Sequence, residues 1–133
     1  MKKILIAEDD FFIRDVYMEI FQNNGYEVEI AVDGEDALVK IKSKLFDMIL
    51  LDIMMPKASG MDILSQTRKI ETPNKITPIF MVTNLSEQNI IEEAFKFGTD
   101  GYIIKSQYTP QQVVDEINNF LAGKENLPPQ SKT

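Results

Sequence analysis

Short apolar runs and helix-period stripes alternate along the whole chain. Lys3 to Ala7 is a brief apolar run with the look of a strand. Phe12, Ile13, Val16, Tyr17, Ile20 and Phe21 then recur at helical spacing until Asn24-Gly25 stops them. Tyr26 to Val32 alternates, which predicts a strand with Val28, Ile30 and Val32 on one side. Asp33-Gly34 turns the chain, and Asp33 is placed to cap a helix carrying Ala37, Leu38 and Ile41. Phe46 to Leu51 is the next strand. After it, Ser59 with Asp62 three residues on predicts a capping box for a helix through Ile63, Leu64 and Thr67. Thr72 to Lys75 is polar punctuation before a buried strand, Pro78 to Val82. A helix from Ser86 carries Ile90, Ile91, Ala94 and Phe95 and ends near Gly98; Tyr102 to Ile104 is a last short strand. Thr109-Pro110 with Gln112 opens the final helix, whose buried face is Val113, Val114, Ile117, Phe120 and Leu121 and whose end is Gly123.

Five βα units in succession imply an α/β fold with a parallel sheet and helices on both faces. The stretch Met48 to Pro56, MILLDIMMP, is its centre: seven of nine residues are large and apolar, and one, Asp52, is an acid. A run this apolar fits a strand buried on both faces. A carboxylate within it costs several kcal/mol unless it is solvated, paired or metal-bound. Placing Asp52 where the strand ends, before the loop marked by Pro56 and Gly60, solves this. That carboxyl edge is where open parallel sheets bind ligands. The plainer reading of Asp52 is a loop or N-cap acid that happens to follow a strand.

Composition narrows the classes. With 133 residues, 44% of them hydrophobic, the chain makes one domain, residues 1–123, and a polar stretch with two prolines, 124–133, expected to be a disordered tail or linker stub. A net charge of −7 argues against a nucleic-acid surface of its own. There is no cysteine, hence no disulfide framework or thiolate metal site. There is no histidine either, which removes imidazole as base, ligand or phosphoryl carrier. Lys2-Lys3-Ile4-Leu5-Ile6-Ala7 turns acidic at Glu8, too soon for a signal peptide. No segment approaches the ~20 apolar residues of a membrane span. The expectation is a soluble, cytoplasmic protein.

Strand ends collect the chemistry. Glu8, Asp9 and Asp10 follow the first strand, Asp52 the third, Thr83 and Asn84 the fourth, and Lys105 the fifth. Parallel strands bring all of these to one edge. Carboxylates converging there repel one another, so the arrangement makes sense with a divalent cation. Mg²⁺ suits it, taking hard oxygen ligands and a phosphoryl group. Asp52 is then nucleophile and ligand together, Lys105 a point charge for phosphate oxygens, and Thr83 a hydroxyl donor. Each residue alone has a duller reading: a dipole-stabilising cap for Glu8 to Asp10, turn chemistry for Thr83, surface charge for Lys105, packing for Tyr102. The constellation is what carries weight.

The pieces ILIAEDD, MILLDIMMPKASG, PIFMVTN and GYIIKS, in this order, resemble the receiver domain of two-component response regulators, from Lys2 to about Leu121. The resemblance implies a CheY-like, flavodoxin-like (βα)5 doubly wound fold with strand order 2-1-3-4-5. It implies that Asp52 is the phosphoacceptor, loaded from a phosphohistidine on a sensor histidine kinase or phosphotransfer protein. Glu8 and Asp9 match the acidic pair that holds Mg²⁺, and Met54 the position whose backbone carbonyl is a further ligand. Thr83 and Lys105 match the phosphate-contacting hydroxyl and amine. Tyr102 matches the aromatic that turns inward when Thr83 moves, and Asp10, one past the pair, is a cap. Such a domain is a signalling switch, not an enzyme beyond its own phosphorylation and slow autodephosphorylation. Its switched surface (fourth helix, fifth strand, fifth helix) meets a downstream effector, an output domain or a second copy. No direct contact with nucleic acid or membrane is expected.

Departures from the family pattern bear on this. Ser106 stands where a proline in a cis bond is usual, which leaves the reach of Lys105 open. Asn84 stands where a small residue is common and has room to crowd or hydrogen-bond the phosphoryl group. Met54 and Leu85, both apolar, flank the route of the attacking water, which predicts slow self-dephosphorylation. The last helix has no Lys or Arg between Pro110 and Gly123, which weakens a charged-pair dimer. A haloacid-dehalogenase-type phosphatase needs a second acid where this chain has Met54. An FMN binder is opposed by Glu8-Asp9-Asp10. The remaining rival is a phosphorylation-independent, receiver-like adaptor.

Overall fold

Five parallel strands, ordered β2-β1-β3-β4-β5, form one sheet in the computed structural model, which describes residues 1–126. The elements are β1 (Lys3–Ala7), α1 (Phe11–Asn23), β2 (Glu27–Ala31), α2 (Gly34–Ser43), β3 (Met48–Leu51), α3 (Gly60–Lys69), β4 (Ile79–Thr83), α4 (Gln88–Lys96), β5 (Gly101–Ile104), a 3-10 turn (Lys105–Gln107) and α5 (Pro110–Asn126). The parallel sheet with helices on both faces is what the pattern predicts, and the strand order is that of the doubly wound, flavodoxin-like fold implied by the resemblance.

The alternation of side chains explains the near-continuous apolar runs. Leu5, Ala7, Ile49, Leu51, Ile79 and Met81 face one way and pack on Ala37, Ile41, Ile63, Leu64 and Ala94 of α2, α3 and α4. Ile4, Ile6, Met48, Leu50, Phe80 and Val82 face the other way, onto Tyr17 and Phe21 of α1 and Val113, Val114 and Ile117 of α5. Each fully buried Leu, Ile, Val, Met or Phe among them contributes about 1.5–3 kcal/mol.

Helix starts follow local chemistry. Asp10, Asp33 and Ser59 accept from the backbone N–H three residues on, at the heads of α1, α2 and α3. At α5, Thr109 and Gln112 exchange side-chain-to-backbone hydrogen bonds in a reciprocal box. Gly25 leaves α1 with φ +89°, where a Cβ would be strained.

Several expectations need correction. The buried strip of α1 is narrower than its apolar spacing predicts: Tyr17 and Phe21 are buried, but Phe12 is 79% exposed and Val16 is exposed too. At 100° per residue those two lie well round the helix from Tyr17. On α4, Ala94 is buried and Phe95 exposed, and Glu87, not Ser86, stands at the N-cap without a side-chain cap. Val32 lies past the end of the edge strand β2 and is exposed, so the row Val28, Ile30, Val32 is not a continuous buried face. Gly123 does not end α5, which runs on to Asn126. The remainder of the expected tail, 127–133, lies outside the described residues.

The polar punctuation from Thr72 to Lys75 conceals a buried hub. Asn74 is fully buried; its Oδ1 accepts from the Phe46 N–H at 2.9 Å and the Thr77 hydroxyl at 3.0 Å. Its Nδ2 donates to the carbonyls of Ile41 and Lys44. One side chain thus joins the end of α2, the approach to β3 and the α3–β4 connection.

Candidate functional site

β1 and β3 are neighbours, so the residues that follow them emerge side by side. The ladder runs one bond further at each: Asp52 N–H donates to Ala7 O, and Glu8 N–H to Ala31 O, both at 3.1 Å. Glu8 is 3% exposed and Asp52 6%, while Asp9 is exposed. Carboxylate oxygens of the three lie within 4.8 Å of one another. Asp10 turns away to cap α1, and its N–H donates to Glu8 Oε2 at 3.2 Å.

The loop after Asp52 is packed too tightly for a side chain at residue 60. A Cβ on Gly60 would sit 2.1 Å from the Asp52 carbonyl oxygen, and the Gly60 N–H donates to Ile53 O at 2.9 Å. Met54, 66% exposed, directs its N–H towards Asp52 Oδ1 at 3.3 Å.

Lys105 comes from the far side of the sheet and lies between the acids. Its Nζ is 2.8 Å from Glu8 Oε1 and 2.9 Å from Asp52 Oδ2. The peptide bond to Ser106 is not cis, as no described bond is, so the reach left open by Ser106 is met without one. Asn84 is engaged by the next loop: its Oδ1 accepts from the Ser106 N–H at 2.9 Å. Thr83, buried at the end of β4, takes the Leu85 N–H on its hydroxyl at 3.4 Å. The half-buried Tyr102 donates its hydroxyl to Leu85 O at 2.7 Å. Arg14, unremarked in the sequence, donates from Nη1 to the carbonyls of Glu8 and Asp9 at 3.1 and 3.3 Å. Its place one turn into α1, facing back over the acidic run, is the only local signal that could have singled it out.

Burial pushes the Glu8 carboxyl above its ordinary range; the hydrogen bond from Lys105 opposes this and the Asp52 charge adds to it. For Lys105, burial works to lower the pKa, but the bonds to Glu8 and Asp52 outweigh it and hold the ammonium charged. A carboxyl raised on folding stabilises the fold below its unfolded-state value of about 4.5. That contribution disappears as pH climbs through the raised folded value, so at neutral pH ionised Glu8 costs stability. Glu8→Gln is therefore expected to raise stability in EDTA at pH 7, read as a higher melting temperature, because the amide oxygen still accepts from Lys105. A melting temperature at or below wild type would mean that the ion pair outweighs the burial cost.

The residues themselves suit a hard cation. Three carboxylates converge, and Asp9 makes no ion pair with any described residue, which leaves oxygens for a Mg²⁺-like ligand set.

A doubly wound α/β domain with carboxylates and one lysine gathered at the carboxyl edge of its sheet is a signalling-domain architecture of the CheY-like kind. The chain belongs to the response regulator receiver domain family, whose model matches residues 4–118. It is 34% identical over 119 residues to the transcriptional regulatory protein ResD of Bacillus subtilis, covering 90% of this chain and 48% of that protein. It spans about half the length of the curated relatives it matches. A CheY-like receiver domain from Methanospirillum hungatei superposes with a TM-score of 0.84 at 32% identity, covering 94% of this chain and 97% of that one. The response regulator TrrA of Thermotoga maritima, solved in complex with Mg²⁺ and BeF, gives a TM-score of 0.77 at 31% identity, covering 91% and 99%. Among the described residues, no helix is long and apolar enough to cross a membrane.

Proposed function

We propose that this receiver is a phosphorylation-dependent switch in which Asp52 is the acceptor. The observation that carries the reading is Lys105 Nζ at 2.9 Å from Asp52 Oδ2 and 2.8 Å from Glu8 Oε1, with Asp9 beside them. A bare structural ion pair would not require two further acids. In the proposed step, an Asp52 carboxylate oxygen attacks the phosphorus of a phosphohistidine on a sensor kinase or phosphotransfer protein. The P–N bond breaks and the freed imidazole keeps the electron pair and takes up a proton. Glu8, Asp9, Asp52 and the Met54 carbonyl are the proposed Mg²⁺ ligands. The ion, when bound, neutralises charge between the carboxylates and the incoming phosphoryl oxygens. TrrA, with its Mg²⁺–BeF complex, supports extending such a ligand set to this chain.

Lys105 would then exchange one carboxylate contact for a phosphoryl oxygen, and Thr83 would turn its hydroxyl towards another. Because Tyr102 is tied to Leu85, two residues beyond Thr83, movement of that loop would reach Tyr102 and the start of α4. A downstream effector, an output domain or a second copy would read the α4–β5–α5 face. Residues 1–123 are proposed as the receiver, with the remaining residues serving as linker or tail, in a cytoplasmic setting.

Incubation with phosphoramidate and Mg²⁺, followed by intact mass, tests the reading. Gain of one phosphoryl group that EDTA prevents is the expected result, and an unchanged mass favours the phosphorylation-independent adaptor. Slow loss of the group is also expected, since neither Met54 nor Leu85 can orient water. The Met54→Asn/Leu85→Glu variant should lose it several-fold faster, and equal or slower loss would count against this account of the water route.

A further inference from the structure

Lys105 has to cross the sheet to reach Asp52. It follows β5, Asp52 follows β3, and β4 lies between them. Two strand spacings amount to about 10 Å, so the Lys105 side chain must pass over the end of β4 to put Nζ 2.9 Å from Asp52 Oδ2.

The residue at that end is Asn84. Its Oδ1 accepts from the N–H of Ser106, the residue next to Lys105, at 2.9 Å. That N–H lies in the short 3-10 turn Lys105–Gln107, whose first N–H groups have no partner within the turn. A proline at 106 would have no hydrogen to offer. Asn84 is itself exposed, so removing its side chain opens no cavity. Its neighbours hold the same loop: Leu85 O accepts from Tyr102 Oη, and Leu85 N–H approaches Thr83 Oγ1.

We infer that Asn84 is a positioning residue, tying the loop after β4 to the loop after β5 and so holding Lys105 over the sheet against Asp52. The bond makes Thr83 and Lys105 parts of one device: a shift of the Thr83 loop carries Asn84 with it, and through Ser106 displaces Lys105. The consequence for phosphorylation rests on the acceptor reading of Asp52; the placement of Lys105 does not.

The test uses the full chain as wild type, Asn84→Ala and Asn84→Asp, the last keeping an acceptor oxygen in place. NMR follows exchange of the Ser106 amide proton and the Lys105 ammonium cross-peak, which is visible only when the amine is held away from exchange with water. Both signals are expected in wild type, lost or at least tenfold faster in exchange in Asn84→Ala, and restored in Asn84→Asp. A purely structural effect of residue 84 would not be rescued in this pattern. In parallel, the maximal phosphoramidate rate of Asn84→Ala should fall roughly tenfold, with donor half-saturation little changed. Wild-type signals in Asn84→Ala, or no rescue by Asn84→Asp, would overturn the inference. If wild type takes up no phosphoryl group, the acceptor reading fails, while the two NMR signals still decide for or against Asn84.

Discussion

Asp52→Asn is expected to keep its unmodified mass under the conditions in which wild type gains a phosphoryl group. The loss should be on the order of 10³ or more in rate, the scale associated with deleting a nucleophile. The amide retains the shape and an oxygen able to accept from Lys105, but its nitrogen lone pair is delocalised and its oxygen is a poor nucleophile. Lys105 also keeps its 2.8 Å contact with Glu8, so the rim of the sheet should stay assembled. Circular dichroism and a melting curve separate this loss from unfolding. Phosphorylation of the variant at another carboxylate, located by peptide mapping, would show that Asp52 is not the acceptor. Asp9 is the residue to watch, because its carboxylate is exposed and within the same cluster.

The second large effect concerns stability and lies far from the acids. Asn74→Ala removes four hydrogen bonds at once and leaves the carbonyls of Ile41 and Lys44 and the N–H of Phe46 in need of partners. Each buried polar group left unsatisfied costs about 1–3 kcal/mol. A total of about 3 kcal/mol or more is expected, lowering the melting temperature by roughly 10 °C. Denaturant unfolding monitored by circular dichroism gives the number directly. A loss below about 1 kcal/mol would show that water enters and takes over the bonds. Asn74 joins the starts and ends of elements at the edge opposite the acidic cluster, so the phosphorylation rate of folded Asn74→Ala should remain close to wild type.

These two residues show different degrees of legibility. Asp52 stands out because an acid interrupting MILL-IMM is costly wherever the strand is buried, and that conflict is visible in nine consecutive residues. Asn74 does not stand out, since Thr72-Pro73-Asn74-Lys75 has the composition of any surface turn. Its burial depends on Ile41, Lys44 and Phe46, about thirty residues away in the chain. The buried strips of α1 and α4 are narrower than their apolar spacing predicts, for a related reason. Periodicity identifies a helix and an approximate face, but the width of the covered strip is set by how each helix lies on the sheet, leaving Phe12, Val16 and Phe95 outside it.

What the chain determined alone is whatever depends on neighbours within a few residues: five βα units, the caps at Asp10, Asp33, Ser59 and Thr109, two-sided burial of the middle strands, and the gathering of acids at one edge that parallel strands impose. What only the tertiary structure decided spans long stretches of chain. Lys105 lies between Glu8 and Asp52, 97 and 53 residues away, and Asn84 accepts from the Ser106 N–H, 22 residues on. The physical reason is one of range. Propensity, capping and turn chemistry act over a turn or two of backbone. Which carboxylates an ammonium can bridge is fixed by strand order and by the loop after β5 that carries Lys105, which no local window contains.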